Sequence, residues 1–222
     1  MDVLDELDRF GRVWCRQFFS SSEIRQLEPE FDFQRKPGKR VALTERLAGL
    51  IGHGSSTGTL VESLGLSPEP VRLVAFEKSV ERNWSVPWHQ DRVIAVRNKL
   101  DVAGYSNWVR KSGFWHCEAP AALLNSMIFI RIHIDPSTEE NGSLEIALGS
   151  HKRGFVSVEE TSETAKECPI EPCYAGTGDI LIVRALTLHR SRPAKKPNHR
   201  RALRADFAPR HKLSTELSWA MG

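Results

Sequence analysis

Two stretches of the chain place an aspartate two residues after a histidine: His89 and Asp91 in "PWHQD", and His133 and Asp135 in "RIHID". In a β-strand, residues i and i+2 leave the same face, so either pair would aim an imidazole nitrogen and a carboxylate oxygen at one spot. With a second imidazole, those donors make the facial set that holds non-haem iron(II) and leaves positions open for other ligands. The spacing alone does not choose between the pairs. Eight histidines in 222 residues should produce such a pair by chance on the order of a few tenths of a time, so at least one of the two is a decoy.

A third donor is sought in "GDILIVRALTLHRSRP". Taken as one strand, Asp179, Leu181, Val183, Ala185, Thr187, His189 and Ser191 share a face that narrows to small residues, so His189 would look into a cavity. The same residue serves equally well as a strand-end histidine bonded to backbone. Arg200 follows across a short basic loop, in "RRALRADF", where a guanidinium can hold a carboxylate in two hydrogen bonds, as a keto-acid cosubstrate would require. On the strand "MIFIRIHIDP", Ile128, Ile130, Ile132 and Ile134 form one apolar face, leaving Phe129, Arg131, His133 and Asp135 on the other.

The elements that must carry these residues follow from pattern. Val3, Leu4, Leu7 and Phe10 have helical spacing closed by Gly11, "RVWCRQFF" reads as a strand, and Ser20 with Glu23 has the spacing of a capping box. "GLIGHGSSTGT" reads as a loop after a helical part of about residues 1–60. From residue 70 the chain turns to short β-like runs, "VRLVAFEK", "DRVIAV", "MIFIRIHIDP", "SLEIAL", "GDILIVRALTLH" and "RALRADFA", with no long helices alternating between them. A sandwich or barrel follows. Asn141-Gly142 in "STEENGS" is a hairpin turn signal, and residues 101–122 read as a long irregular insertion with aromatic residues at its middle.

Composition narrows the function classes. Hydrophobic residues make up 40% and charged residues 27%, as in a globular domain, and the formal net charge is only +3. The basic stretch 190–204 lacks the aromatic residues that stack on bases, so no nucleic-acid partner is expected. The four cysteines, Cys15, Cys117, Cys168 and Cys173, show neither zinc spacing nor a disulfide framework. No apolar run approaches the ~18 residues that span a membrane, and "MDVLDELDRF" is no signal peptide, which points to a cytoplasmic protein.

The linked set "VPWHQD", "RIHID" with "ENGSLEIALGSH", then "GDILIV", "LHRS" and "RRAL" resembles the phytanoyl-CoA dioxygenase family of iron(II)- and 2-oxoglutarate-dependent oxygenases, over about residues 70–208 in the family's order. The resemblance implies one mainly β domain over residues 1–222, a double-stranded β-helix (cupin-like jelly roll) with flanking helices. It implies His89, Asp91 and His189 as iron ligands, with His133 and Asp135 the decoy pair. Arg200, eleven residues past His189, and Ser191 would hold the far carboxylate of 2-oxoglutarate, with Arg201 the rival for that place and Arg131 a further contact. An aspartate at position 91, where related halogenases have a small residue, implies hydroxylation or another oxidative outcome with dioxygen instead of halogenation, releasing succinate and carbon dioxide. Lys78, Trp108, Lys111 and Trp115 are candidates to meet a small-molecule substrate, although aromatic residues in an insertion also pack a lid onto its own barrel. A jelly-roll binding protein without turnover is the alternative.

Overall fold

Local capping chemistry sets the helical N-terminal part. The structure, a computed structural model, describes residues 2–31, 37–111, 113–209 and 211–221. Helix α1 (Val3–Phe10) starts at Asp2, whose carboxylate accepts from the Val3 N–H, and stops at Gly11, whose φ of 77° a side chain would resist. Strand β1 (Arg12–Cys15) follows, then α2 (Ser21–Leu27), opened by the expected capping box of Ser20 and Glu23. After β2 (Gly38–Arg40) come α3 (Glu45–Ile51) and α4 (Ser56–Ser63). The stretch 49–59, expected as a loop, is therefore mostly helix. Ser55 restarts the helix at once by accepting from the Gly58 N–H at 3.0 Å.

The rest is largely strand: β3 (Arg72–Lys78), β4 (Val86–His89), β5 (Val93–Val96), β6 (Ser106–Lys111), β7 (Phe114–Glu118), a short α5 (Ala121–Leu124), β8 (Ile128–His133), β9 (Leu144–Ala147), α6 (Thr161–Lys166), β10 (Ile170–Cys173), β11 (Ile180–Arg184), β12 (His189–Ser191) and β13 (Arg200–Phe207). A large antiparallel sheet has the order β1-β11-β8-β13-β3-β2, and a smaller one the order β10-β9-β12-β4. Alternation divides the large sheet's two faces. Ile128, Ile130, Ile132, Ile180, Ile182, Leu203 and Phe207 pack outward against Leu7, Ile24, Leu27, Leu47 and Val61 of the helices. Inward, Phe129, Leu181 and Val183 meet Leu144, Ile146 and Cys173 of the small sheet. Each such buried aliphatic side chain contributes about 1.5–3 kcal/mol. Two facing antiparallel sheets with helices on the outside are the expected jelly roll.

Three local expectations change. Asn141-Gly142 does make a turn, with the Asn141 amide bonded to the Thr138 N–H and the Pro136 carbonyl. It is no hairpin, because β8 and β9 lie in different sheets and the turn carries the chain between them. Within residues 101–122, β6 and β7 form a hairpin through Gly113 (φ 85°) and join β5 in a third sheet. β6 is exposed along most of its length, so it has no buried face whose alternation the sequence could reveal. Finally, "GDILIVRALTLH" is two strands. The chain turns at Ala185–Leu188, where the Thr187 N–H reaches the Arg184 carbonyl and the Leu188 N–H reaches Ser150 Oγ, and passes from the large sheet to the small one.

All four cysteines are free thiols. Among the described residues no helix is long and apolar enough to cross a membrane.

Candidate active site

Strands β4 and β12 are antiparallel neighbours in the small sheet, with His89 directly opposite His189. That register, and no proximity in sequence, sets the two imidazoles 4.2 Å apart between ring centres. Each ring is oriented by its own backbone: His89 Nδ1 donates to the Pro87 carbonyl at 2.8 Å, and His189 Nδ1 to the Thr187 carbonyl at 2.9 Å. A carbonyl only accepts, so Nδ1 carries the hydrogen in both and Nε2 keeps its lone pair for a metal. Between His89 and Asp91, the buried Gln90 points the other way, donating to the Gly154 and Leu186 carbonyls and accepting from the Val156 N–H. The Asp91 N–H bonds the Ala185 carbonyl, which brings its carboxylate back to the histidines. Asp91 Oδ2 lies 3.4 Å from His189 Nε2. One donor atom from each of His89, Asp91 and His189 lies within 4.8 Å of the others, a spacing that can hold one metal ion.

Burial by itself would make Asp91 a weaker acid, but Arg204, 2.9 Å from Oδ2, outweighs it and holds the carboxyl well below the usual carboxylate range. His189 moves downward because it is buried and faces His89, so the ring is neutral, as a ligand must be. Arg204 also donates to Asp206, which pairs with Arg72. This chain of alternating charges, Asp91-Arg204-Asp206-Arg72, was not expected from the sequence. Its signal was available: Arg200, Ala202, Arg204 and Asp206 alternate on the inward face of one strand.

The metal-facing cavity, of about 240 Å³, is lined by His89, Asp91 and His189 together with Ser191, Arg131, Arg72 and Arg204, and by the apolar Val74, Phe76, Trp84, Phe129 and Leu144. Behind Ser191 sits Lys78, fully buried, whose Nζ donates to Ser191 Oγ at 2.9 Å and to the Gly142 and Arg192 carbonyls. Arg200 is the registered partner of Lys78 across β13 and β3 and is equally enclosed. Its Nε and Nη1, and the Nε of Arg131, have no hydrogen-bond partner among the described residues. Burial, and then the mutual repulsion of these cations, lower the pKa values of Lys78 and Arg200. A cluster of buried cations with unmet donors is what an anion would satisfy.

Arg201 faces the other way and is bidentate to Asp135, with Glu28 nearby. Asp135 thus leaves the inward face on which strict alternation had placed it, because β8 ends at His133. His133 is buried beside Trp14, and burial and then the nearby cations push its pKa down; among the described residues it belongs to no metal-ligand cluster. Of the residues proposed for substrate, Lys78 is buried against Ser191. Trp108 and Trp115 pack on the apolar cluster of the third sheet. Lys111 lines a separate, larger groove of about 1170 Å³ that meets the metal-facing cavity at Arg72.

Fold and site together define a cupin-like jelly-roll protein with a candidate mononuclear metal centre. The chain belongs to the phytanoyl-CoA dioxygenase (PhyH) family, whose profile matches residues 2–202. None of the curated proteins matches the chain in sequence. Among solved structures, AviO1 from Streptomyces viridochromogenes Tue57 is similar, with a TM-score of 0.64 at 16% identity over 94% of each chain. HygX from Streptomyces hygroscopicus, solved with nickel and 2-oxoglutarate bound, gives 0.63 at 15% identity over 94% of this chain and 86% of its own. The epimerase SnoN, solved with Fe3+, alpha ketoglutarate and nogalamycin RO, gives 0.65 at 14% identity over 93% and 82%. At these identities the likeness is one of fold.

Proposed function

We propose that the protein is an iron(II)- and 2-oxoglutarate-dependent dioxygenase that hydroxylates a small molecule. The observation that carries this reading is the convergence of His89, Asp91 and His189 on one point beside buried cations whose donors are unmet among the described residues. The donor set suits iron(II), being two neutral imidazoles and one carboxylate. Membership of the family and the iron and 2-oxoglutarate in the SnoN complex point the same way. Bound there, iron(II) with 2-oxoglutarate and dioxygen supplies the oxidant: one oxygen atom converts the keto acid to succinate and carbon dioxide, and the other enters a substrate C–H bond.

The chain's own residues bind and orient. The carbonyls of Pro87 and Thr187 fix the histidine tautomers, and Arg204 keeps Asp91 ionised and directed. Arg200 and Ser191, with Lys78 behind, are assigned to the far carboxylate of 2-oxoglutarate, and Arg131 to the same anion's flank. Phe129, Val74 and Phe76 keep the cavity wall apolar, which limits water at the centre. The packing of α1 to α4 on the large sheet supports one domain over residues 1–222.

The test is anaerobic: iron(II) and 2-oxoglutarate are added to the apoprotein and the weak visible metal-to-ligand charge-transfer band is recorded. The band is expected in the wild type and lost in Asp91→Ala. Its absence from a wild type that takes up no iron would leave a jelly-roll binding protein as the better account.

A further inference from the structure

The larger groove beside the metal-facing cavity has a charge pattern of its own. Its cations are Lys39, Arg40, Arg72 and Lys111, and its described lining contains no carboxylate. Arg40 is the informative member. It is half-buried, with no ion pair to a carboxylate among the described residues, and its Nη2 bonds the Nε2 of His116 at 2.9 Å. His116 moves downward through burial and then Arg40, so it meets Arg40 as a neutral acceptor and cancels none of its charge. The pKa of Arg40 is lowered by burial and then by Arg72, with only the more weakly acting Asp206 opposing them, an unfavourable placement for a cation. Lys111 acts on the same His116 from β6. Around these cations the wall is apolar, with Val41, Leu43, Val93, Val109 and Phe114.

The groove adjoins the candidate centre. Arg72 lines both cavities, and Val93, which accepts from Arg72 Nη1 at 3.2 Å, stands two residues beyond Asp91. β2, which carries Arg40, pairs with the part of β3 that supplies Val74 and Phe76 to the metal-facing wall. A molecule lying in the groove therefore extends toward the metal ligands.

We propose that this groove holds the substrate, and that the substrate is an amphipathic small molecule whose oxyanion group, a carboxylate or a phosphate, is gripped by Arg40 and Lys111. The apolar body lies along the Val41, Leu43 and Val109 wall and reaches past Arg72 to the centre. The proposal takes the pocket at His89, Asp91 and His189 as the reaction centre, so it rests on the oxygenase reading.

The test uses a fluorescent aromatic sulfonate, 8-anilinonaphthalene-1-sulfonate, and its uncharged relative N-phenyl-1-naphthylamine, on the folded protein. The sulfonate is expected to bind at one site and more tightly than the uncharged dye. Arg40→Ala and Lys111→Ala are each expected to weaken the sulfonate about tenfold and leave the uncharged dye unchanged, in keeping with loss of one charged contact. Hexanoate and hexyl phosphate are then competed against the dye. Displacement by one of them names the oxyanion, and displacement by neither overturns the proposal. Equal binding of both dyes, or variants that bind the sulfonate as the wild type does, overturns it as well. The charge-transfer band, read on the same samples, separates the two claims. A band with no charge-selective site sinks the groove alone, and no band in the wild type sinks the oxygenase reading whatever the dye does.

Discussion

Lys78 gives the sharpest perturbation, because its proposed role and its effect on folding have opposite signs. The ammonium is fully buried, bonded to a hydroxyl and two carbonyls, with cations and, among the described residues, no carboxylate acting on it. Burial, then Arg200 and Arg131, push its pKa from the ordinary lysine value of 10.5 down to about 7. The folded chain therefore holds that proton less tightly than the unfolded chain. Below about pH 7 both states carry the proton and the folded state bears the whole penalty; between about pH 7 and 10.5 the unfolded state holds more protons, so stability rises with pH. At 1.36 kcal/mol per pH unit the penalty has an upper bound of about 5 kcal/mol. Relaxation around the charge reduces it, and the variant Lys78→Met also gives up three hydrogen bonds, so its net gain at pH 6 is expected to be about 1–3 kcal/mol. By pH 9 the gain should vanish or become a loss of about 1 kcal/mol. Urea denaturation of the apoprotein at both pH values measures this. Titration of iron-loaded protein with 2-oxoglutarate should show affinity at least tenfold weaker in the variant, a charged contact being worth about 1.5–3 kcal/mol. A variant that is less stable at both pH values and binds 2-oxoglutarate as the wild type does would refute the reasoning and make Lys78 a structural strut.

The neighbouring arginines separate just as cleanly. Arg200→Met should raise the KM for 2-oxoglutarate at least tenfold by the same charged contact while leaving the apoprotein no less stable; Arg201→Met, which breaks the outward pair with Asp135, should lower stability by about 1 kcal/mol and leave that KM alone. The reverse pattern, read by succinate release and denaturation, would exchange their roles. Gly11→Ala places a Cβ 2.6 Å from Thr187 Oγ1 and 2.5 Å from His151 Nδ1 at a φ of +77°, so it should destabilise by about 1–3 kcal/mol. A loss below a few tenths would show that the turn before His189 yields freely.

Some of the site was legible because its chemistry is local. His89 and Asp91 are two apart, at the end of one strand and in the short link to the next. The outward isoleucines of β8 were legible too, since alternation records which face a helix layer covers. His189 was a different case. Read as one strand, its stretch conceals the turn at Ala185–Leu188, and what pairs His189 with His89 is a register between strands a hundred residues apart. Spacing left that residue open, and the family resemblance singled it out. Arg204 went unread because a side chain's partner across a cavity leaves no mark in local pattern. The hairpin of β6 and β7 was missed for the converse reason: an exposed strand has no buried side to betray it.

The crossing of the chain at Ala185–Leu188 has a mechanical consequence. Both histidines stand on the small sheet, whereas Arg200 and Arg131 stand on the large one. In the proposed assignment a diacid bound between them is a gauge block: its keto-acid end rests on the small sheet, and its far carboxylate is gripped from the large sheet by Arg200 and from the small one by Ser191. The gap between the two sheets is set in part by side chains outside the cavity lining, namely Leu181 and Val183 against Ile146. Trimming Ile146 to valine, or enlarging it to phenylalanine, would reset the gap and with it the preference among keto diacids one methylene shorter or longer. Discrimination of the cosubstrate's length is then written in the hydrocarbon interior, and drift there can retune it with every polar contact intact.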